Sequence, residues 1–277
     1  MMVNRYDASH LLLVLQVDHS RVAGLLAAHW GNATFARPEP YASVVVAAQE
    51  HDSGWWDWEI KPTLNAQGYP MDYISGGGLD RAVHLAFDRH GITRVLEQDR
   101  YAGLLVSMHL AGLNTQGFGV VPHMMNRQHI PGVQEFLDEQ EALRAGLLAE
   151  LRQSPEHVDF ATDERIWTNY RLLEICDQLA QYICNHYPLN STERRNGPPN
   201  QLRFAPVAPG CDDAILAVDV QDDRSAILQP YPFDVDPLEI AFPARVVPDR
   251  PYASQDEFLR DYYSAPRVTI TYTLQAA

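Results

Sequence analysis

The feature that most limits what this chain can become is a change of hydrophobic period near residue 187. From about residue 18 apolar side chains recur every three or four positions, the spacing of helices that bury one face; beyond 205 they alternate, the spacing of strands. Helices are predicted at about 18–30, from Pro38-Glu39-Pro40 to His51-Asp52, and at about 79–90, 99–113, 131–152 and 163–186, with Asp18 capping the first. Strands are predicted at 215–220, 225–228, 238–242 and 268–273, and His10 to Leu15 reads as an early buried strand. The polar segment Asn190 to Asn200 reads as a mobile connection. The expected fold is therefore mainly α: a helical domain over 17–187, and a small antiparallel β-sheet formed by the C-terminal region 205–277 packed with strand 10–15. Residues 55–78, rich in tryptophan, proline and glycine, read as a long loop over the mouth of a site.

Charge narrows the function. A net charge of −15 over 277 residues repels phosphate backbones, so binding of a nucleic acid duplex through a basic surface is disfavoured. An anionic substrate would need local positive charge, which a metal ion supplies. Cys176, Cys184 and Cys211 lack metal-finger spacing and fit reduced thiols. No run approaches the ~18 apolar residues of a membrane span, and no basic leader with an apolar stretch opens the chain. The expectation is a cytoplasmic protein that acts on a small molecule.

Several helices carry polar groups on their apolar faces. His19 shares a face with Val22, Ala23, Leu26 and Trp30; His51 follows Val44, Ala47 and Ala48; His109 lies with Ala102, Leu105, Val106 and Leu113. Each imidazole alone is equally a core histidine bonded to one carbonyl. Asp52, beside His51, is either a helix-end carboxylate in water or a ligand, although an anion at a helix C-terminus opposes the dipole. Asp177 is harder to dismiss, because its face holds Tyr170, Leu173, Ala180 and Cys184 and no cation. An ionised carboxylate there needs a cation from elsewhere in the fold. His84, among Asp80, Arg81, Phe87 and Asp88, is either solvated or a ligand. Trp55, Trp56 and Trp58 either wall a substrate or plug the loop onto the domain. His123, His129, His157 and His186 read as surface or loop residues.

The order His19, His51-Asp52, His84, His109, Asp177 resembles the HD superfamily of metal-dependent phosphohydrolases over about residues 17 to 186. His51-Asp52-Ser53-Gly54 is similar to that superfamily's His-Asp-x-Gly string, and Leu173 to Ala180 to its terminal Asp helix. Leu15 to His19, Trp30-Gly31, His51 to Trp55 and Leu104 to His109 are also similar to one uncharacterised bacterial family within it. The resemblance implies an HD-type helical domain and a divalent metal site of one or two ions (Mn, Fe, Mg, Co or Zn). His19, His51, Asp52 and Asp177 would ligate the first ion, with Asp52 or Asp177 bridging to a second held by His84 and His109. It further implies hydrolysis of a small phosphate ester or nucleotide by metal-bound hydroxide. Asp52, Arg81 and Arg171, with Arg127, are the candidate catalytic residues, the arginines by stabilising phosphoryl charge. One departure is Trp55, where many members carry lysine. Two other functions remain: a di-iron oxygenase using the same ligands, and a non-catalytic regulatory scaffold whose C-terminal sheet binds a partner. A lid, a homodimer contact and a brace are all open to that sheet.

Overall fold

The computed structural model describes residues 1–73, 79–115, 126–185 and 201–277. Gly76 to Gly78, His123, His186 and the connection at 190–200 lie outside the described residues.

The helices follow the sequence closely: α1 Gln16–His29, α2 Tyr41–Glu50, a single turn α3 Trp56–Glu59, α4 Arg81–Gln98, α5 Arg100–Gly112, α6 Val133–Leu151 and α7 Asp163–Asn185. Local chemistry starts them. Asp80 accepts from the Ala82 amide at 2.7 Å and Asp99 from the Ala102 amide at 2.8 Å, capping α4 and α5. Asp18 caps nothing, because α1 already begins at Gln16. The carboxylate of Glu59 serves that end instead, receiving the Gln16 amide at 2.6 Å and the Val17 amide at 3.4 Å. Such a cap comes from over 40 residues away, so no local pattern shows it.

The expectation of a mainly α fold with a small antiparallel sheet is overturned. The sheet has seven strands, β1 Met2–Arg5, β2 His10–Val14, β3 Gln201–Ala205, β4 Ala214–Val220, β5 Ser225–Gln229, β6 Leu238–Pro248 and β7 Arg267–Ala276, in the order β1-β2-β6-β7-β5-β4-β3. It is mixed and strongly curled, since β5 pairs with β7 in parallel while the other pairs are antiparallel. Two strands escaped the sequence reading for a physical reason. Met2–Arg5 has only four residues, and a register shift between Leu202 and Ala205 breaks the alternation of Gln201–Ala205, so their partners fix them as strands.

Strand β2 shows how the sheet is buried on both faces. Leu12 and Val14 join the large cluster that contains Val22, Leu26, Leu105, Leu173, Phe242 and Ile270, so helices and sheet share one core. Leu11 and Leu13 point the other way, into a second cluster with Trp55, Trp58, Val247, Phe258 and Tyr262. A strand covered on both sides reads as a continuous apolar run, which is what Leu11 to Val14 displays. The second cover includes α8, Gln255–Ser264, an amphipathic helix capped by Ser254 that the sequence reading also missed. Trp55 and Trp58 are plugs of this cluster, whereas Trp56 faces outward.

No helix among the described residues is long and apolar enough to cross a membrane. Cys176 and Cys184 are buried free thiols, and Cys211 is an exposed one.

Candidate metal centre

The site is assembled where α1, α2, α5 and α7 meet. Helix α1 can lie close to α2 because residue 24 is glycine: a Cβ there would sit 2.7 Å from Cβ of Gln49. His19 projects from α1, Asp177 from the middle of α7 and His109 from α5, all buried. His51 stands just beyond α2, and its Nδ1 lies 2.8 Å from the carbonyl of Ala48, one of the acceptors a helix end leaves unused. Donation from Nδ1 leaves the lone pair on Nε2. His19 repeats the device, with Nδ1 3.3 Å from the carbonyl of Gln16.

Both Nε2 atoms then converge on one carboxylate oxygen. Nε2 of His19 is 2.9 Å and Nε2 of His51 3.3 Å from Oδ1 of Asp177. Nε2 of His51 is fully buried, yet forms no hydrogen bond of acceptable geometry. His19, His51 and Asp177 each offer a ligand atom, and these atoms lie within 4.8 Å of one another. Three lone-pair donors facing one point require a cation between them, either protons or a metal ion. The donor set of two imidazoles and a carboxylate suits a divalent transition metal. The cluster can therefore hold one ion.

Proton affinities report the same electrostatics. Burial disfavours a charged His19, but Asp177 and Asp52 outweigh it and raise its pKa to about 10. His51 is raised in the same contest, by Asp52 and then Asp177. Burial also opposes ionisation of Asp177, and His51, His19 and His109 overcome it, holding the carboxyl well below the usual range. Gln181, one turn along α7, orients that carboxylate by donating to its two oxygens at 3.1 and 3.3 Å. Asp52 sits at the edge of the group, with Oδ2 3.4 Å from Nδ1 of His19 and 3.6 Å from Nε2 of His51. His109 approaches Asp177 at 3.7 Å, and burial depresses its pKa to about 4, so its imidazole is neutral.

Asp177 connects the cluster to a cavity of about 330 Å³, within the range of small-molecule sites, with His19 and His51 lying behind its floor. Asp52, His109, Asp177 and Gln181 line it from below; Trp55 enters from just before α3, and Met71, Asp72 and Tyr73 from the segment after it; Arg81, His84, Asp88 and Arg127 complete the wall. Gly54 holds floor and wall together, because a Cβ there would lie 2.1 Å from the carbonyl oxygen of Phe87 on α4. That contact explains the glycine after His51-Asp52 by packing alone.

His84 lies in the wall rather than in the three-residue cluster. Its Nδ1 is 2.9 Å from Nη1 of Arg81, whose N–H donates, which leaves the imidazole proton on Nε2 toward Asp88 at 3.8 Å. A histidine in that state offers no lone pair. Burial, then Arg81 and Arg127, lower its pKa to about 4. Arg171 lies outside the cavity lining, its guanidinium stacked over Trp167 at 4.9 Å and Phe204 at 4.7 Å. Asp88 is the wall residue that sequence reasoning passed over. It is buried without a salt bridge to either arginine, and burial followed by Asp52 pushes its pKa up to about 8. The available signal was its place one turn after His84 on the same face of α4.

The family described as DUF3891, protein of unknown function, matches residues 1–249. The chain belongs to that family. No curated protein and no solved structure matches this DUF3891 chain. The HD resemblance is thereby corrected. The matching family runs through β1, β2, α1 to α7 and β3 to β6, so it describes an integrated helix-and-sheet protein rather than an HD bundle. A His, His-Asp, Asp order arises wherever helices must aim a few ligands at one ion, and a four-residue string is too short to define a superfamily.

Proposed function

We propose that this DUF3891 protein is a metal-dependent hydrolase of a small phosphate ester. The observation that carries the reading is the joining of two chemistries at one cavity: Asp177, whose carboxylate gathers His19 and His51 behind it with ligand atoms within 4.8 Å of one another, lines its floor, and Arg81 and Arg127 line its wall. A bound divalent ion supplies a water of lowered pKa and neutralises phosphate charge. The chain supplies the rest. Asp52 places a carboxylate at the edge of the floor, where it can accept the proton of an attacking water on Oδ1 or Oδ2. Its pKa, despite burial, is held down by His51 and His19, so it is ionised and able to act as a base.

The arginines favour an anionic substrate. Arg127 is held below its ordinary pKa by burial and then by Arg81, the mark of two guanidinium groups sharing one wall. Neither forms a salt bridge with a carboxylate among the described residues, and Asp88 beside them is protonated near neutral pH. A phosphoryl group satisfies both with bidentate, charge-assisted hydrogen bonds. The only lysine in the chain is Lys61, outside the lining, so these arginines carry the cationic side of the cavity.

Protein stripped with chelator and reloaded with Mn²⁺, Co²⁺ or Mg²⁺ is expected to hydrolyse some member of a panel of phosphomonoesters, phosphodiesters and nucleotides. Arg81→Ala should raise KM about 10- to 100-fold with a smaller change in kcat. Silence of the fully loaded protein across the panel overturns the reading.

A further inference from the structure

A second cavity, of about 230 Å³, opens where α1, α3 and α8 meet the start of β7. It shares no lining residue with the first. Its charges are unusual for a chain of net charge −15: Arg21, Arg245 and Arg267 line it, against Asp18 and Glu59. Both acids are already engaged. Asp18 pairs with Arg21 at 2.8 Å, and Glu59 receives the amides of Gln16 and Val17.

The other two arginines are cross-strand neighbours. Arg245 and Arg267 are direct partners in the register of β6 and β7, so their side chains leave the sheet on the same face. Like charges directly opposite across an antiparallel pair are destabilising. Arg245 donates to the carbonyl of Tyr262 at 3.0 Å and stacks over that ring at 4.6 Å, so it has a neutral partner and no carboxylate. The Arg267 side chain makes no hydrogen bond or ion pair among the described residues, and the one acid whose charge reaches both it and Arg245 is Asp18, already paired with Arg21. The same cavity gathers three exposed apolar side chains, Trp56 at 48%, Ile60 at 55% and Tyr263 at 55% exposure. Tyr263 is fixed by donating its hydroxyl to the carbonyl of Ile60, which sets its ring as a wall.

From this juxtaposition we propose a second binding site, for a small anion that carries a planar ring. Its phosphate or carboxylate oxygens bridge Arg245 and Arg267, relieving the like-charge pair, and its ring lies against Trp56 and Tyr263.

The test uses chelator-treated full-length protein, so that the metal cavity holds no ion, with phenyl phosphate, benzoate, inorganic phosphate and benzyl alcohol as probes. Calorimetry and quenching of tryptophan fluorescence are expected to show phenyl phosphate or benzoate binding at least about tenfold tighter than inorganic phosphate or benzyl alcohol, and the stronger of the two identifies the head group. Trp56→Ala should weaken that binding and Arg267→Glu should abolish it, while Arg81→Ala leaves it unchanged. Arg267→Gln, which keeps the length without the charge, serves if the glutamate variant does not fold, and it too should lose binding. Failure of both ring-bearing anions to bind, or binding that survives both Arg267 variants, or binding that is lost in Arg81→Ala, overturns the proposal.

Discussion

The floor and the wall of the metal cavity both pair histidine with aspartate, and they do opposite things with the pair. On the floor, the Nδ1 atoms of His19 and His51 face backbone carbonyls, so both Nε2 lone pairs turn inward on Asp177. In the wall, Arg81 donates to Nδ1 of His84, turning a proton toward an Asp88 that is itself neutral near pH 7. On the proposed reading the floor receives a cation and the wall an anion. The second bond of each imidazole decides its role, and the residue type alone does not.

The sharpest break of that comparison is Asp177→Ala. It removes the one carboxylate on which both floor imidazoles converge, and it should lower metal affinity by a factor of about 100 or more, read by metal analysis after dialysis. Gly54→Ala comes next, because its Cβ would strike the Phe87 carbonyl and push the His51-Asp52 turn off α4. A cost of about 3 kcal/mol is expected in denaturant unfolding, with loss of bound metal. His84→Ala should act in the other direction. If the wall histidine is no ligand, the first ion still binds at one per chain with affinity changed less than about tenfold, and a drop to the level of Asp177→Ala would erase the distinction between floor and wall.

The smallest effect is one of pH. In metal-free protein His19 has a folded pKa raised to about 10 from 6.5, so its stabilisation is complete below pH 6.5 and is lost as pH rises toward 10. Asp88, raised to about 8, acts in the same sense, since the unfolded chain ionises it from about pH 4 and the folded one resists. The melting temperature of the stripped protein should fall by roughly 5 °C between pH 6.5 and 10. Metal-loaded protein should show a flatter profile, because the ion replaces the proton held by His19.

Much of this was legible before any coordinates. The helical period placed α1, α2, α5, α6 and α7 to within a few residues and the start of α4, which runs eight residues beyond the expected end at 90, and the inward positions of His19, His51, His109 and Asp177 followed from the same spacing. What stayed hidden depended on partners remote in the chain. Strands β1 and β3 are defined by hydrogen bonds to β2 and β4, and the N-terminus of α1 by Glu59. Arg171 and Arg81 are both arginines on helices, and only packing sends one onto Trp167 and Phe204 and the other into the cavity. The family, too, was misread, because a short order of His and Asp residues is too little sequence to define a superfamily.

By itself the sequence determined where the long helices and most of the strands form and that His19, His51, His109 and Asp177 go inside, because burial has a period that the chain displays. Only the tertiary structure decided that seven strands join into one mixed sheet, that two imidazoles share one carboxylate oxygen, and that His84 faces an arginine. Those outcomes rest on contacts between residues distant in sequence, whose distances and hydrogen-bond directions no local pattern encodes.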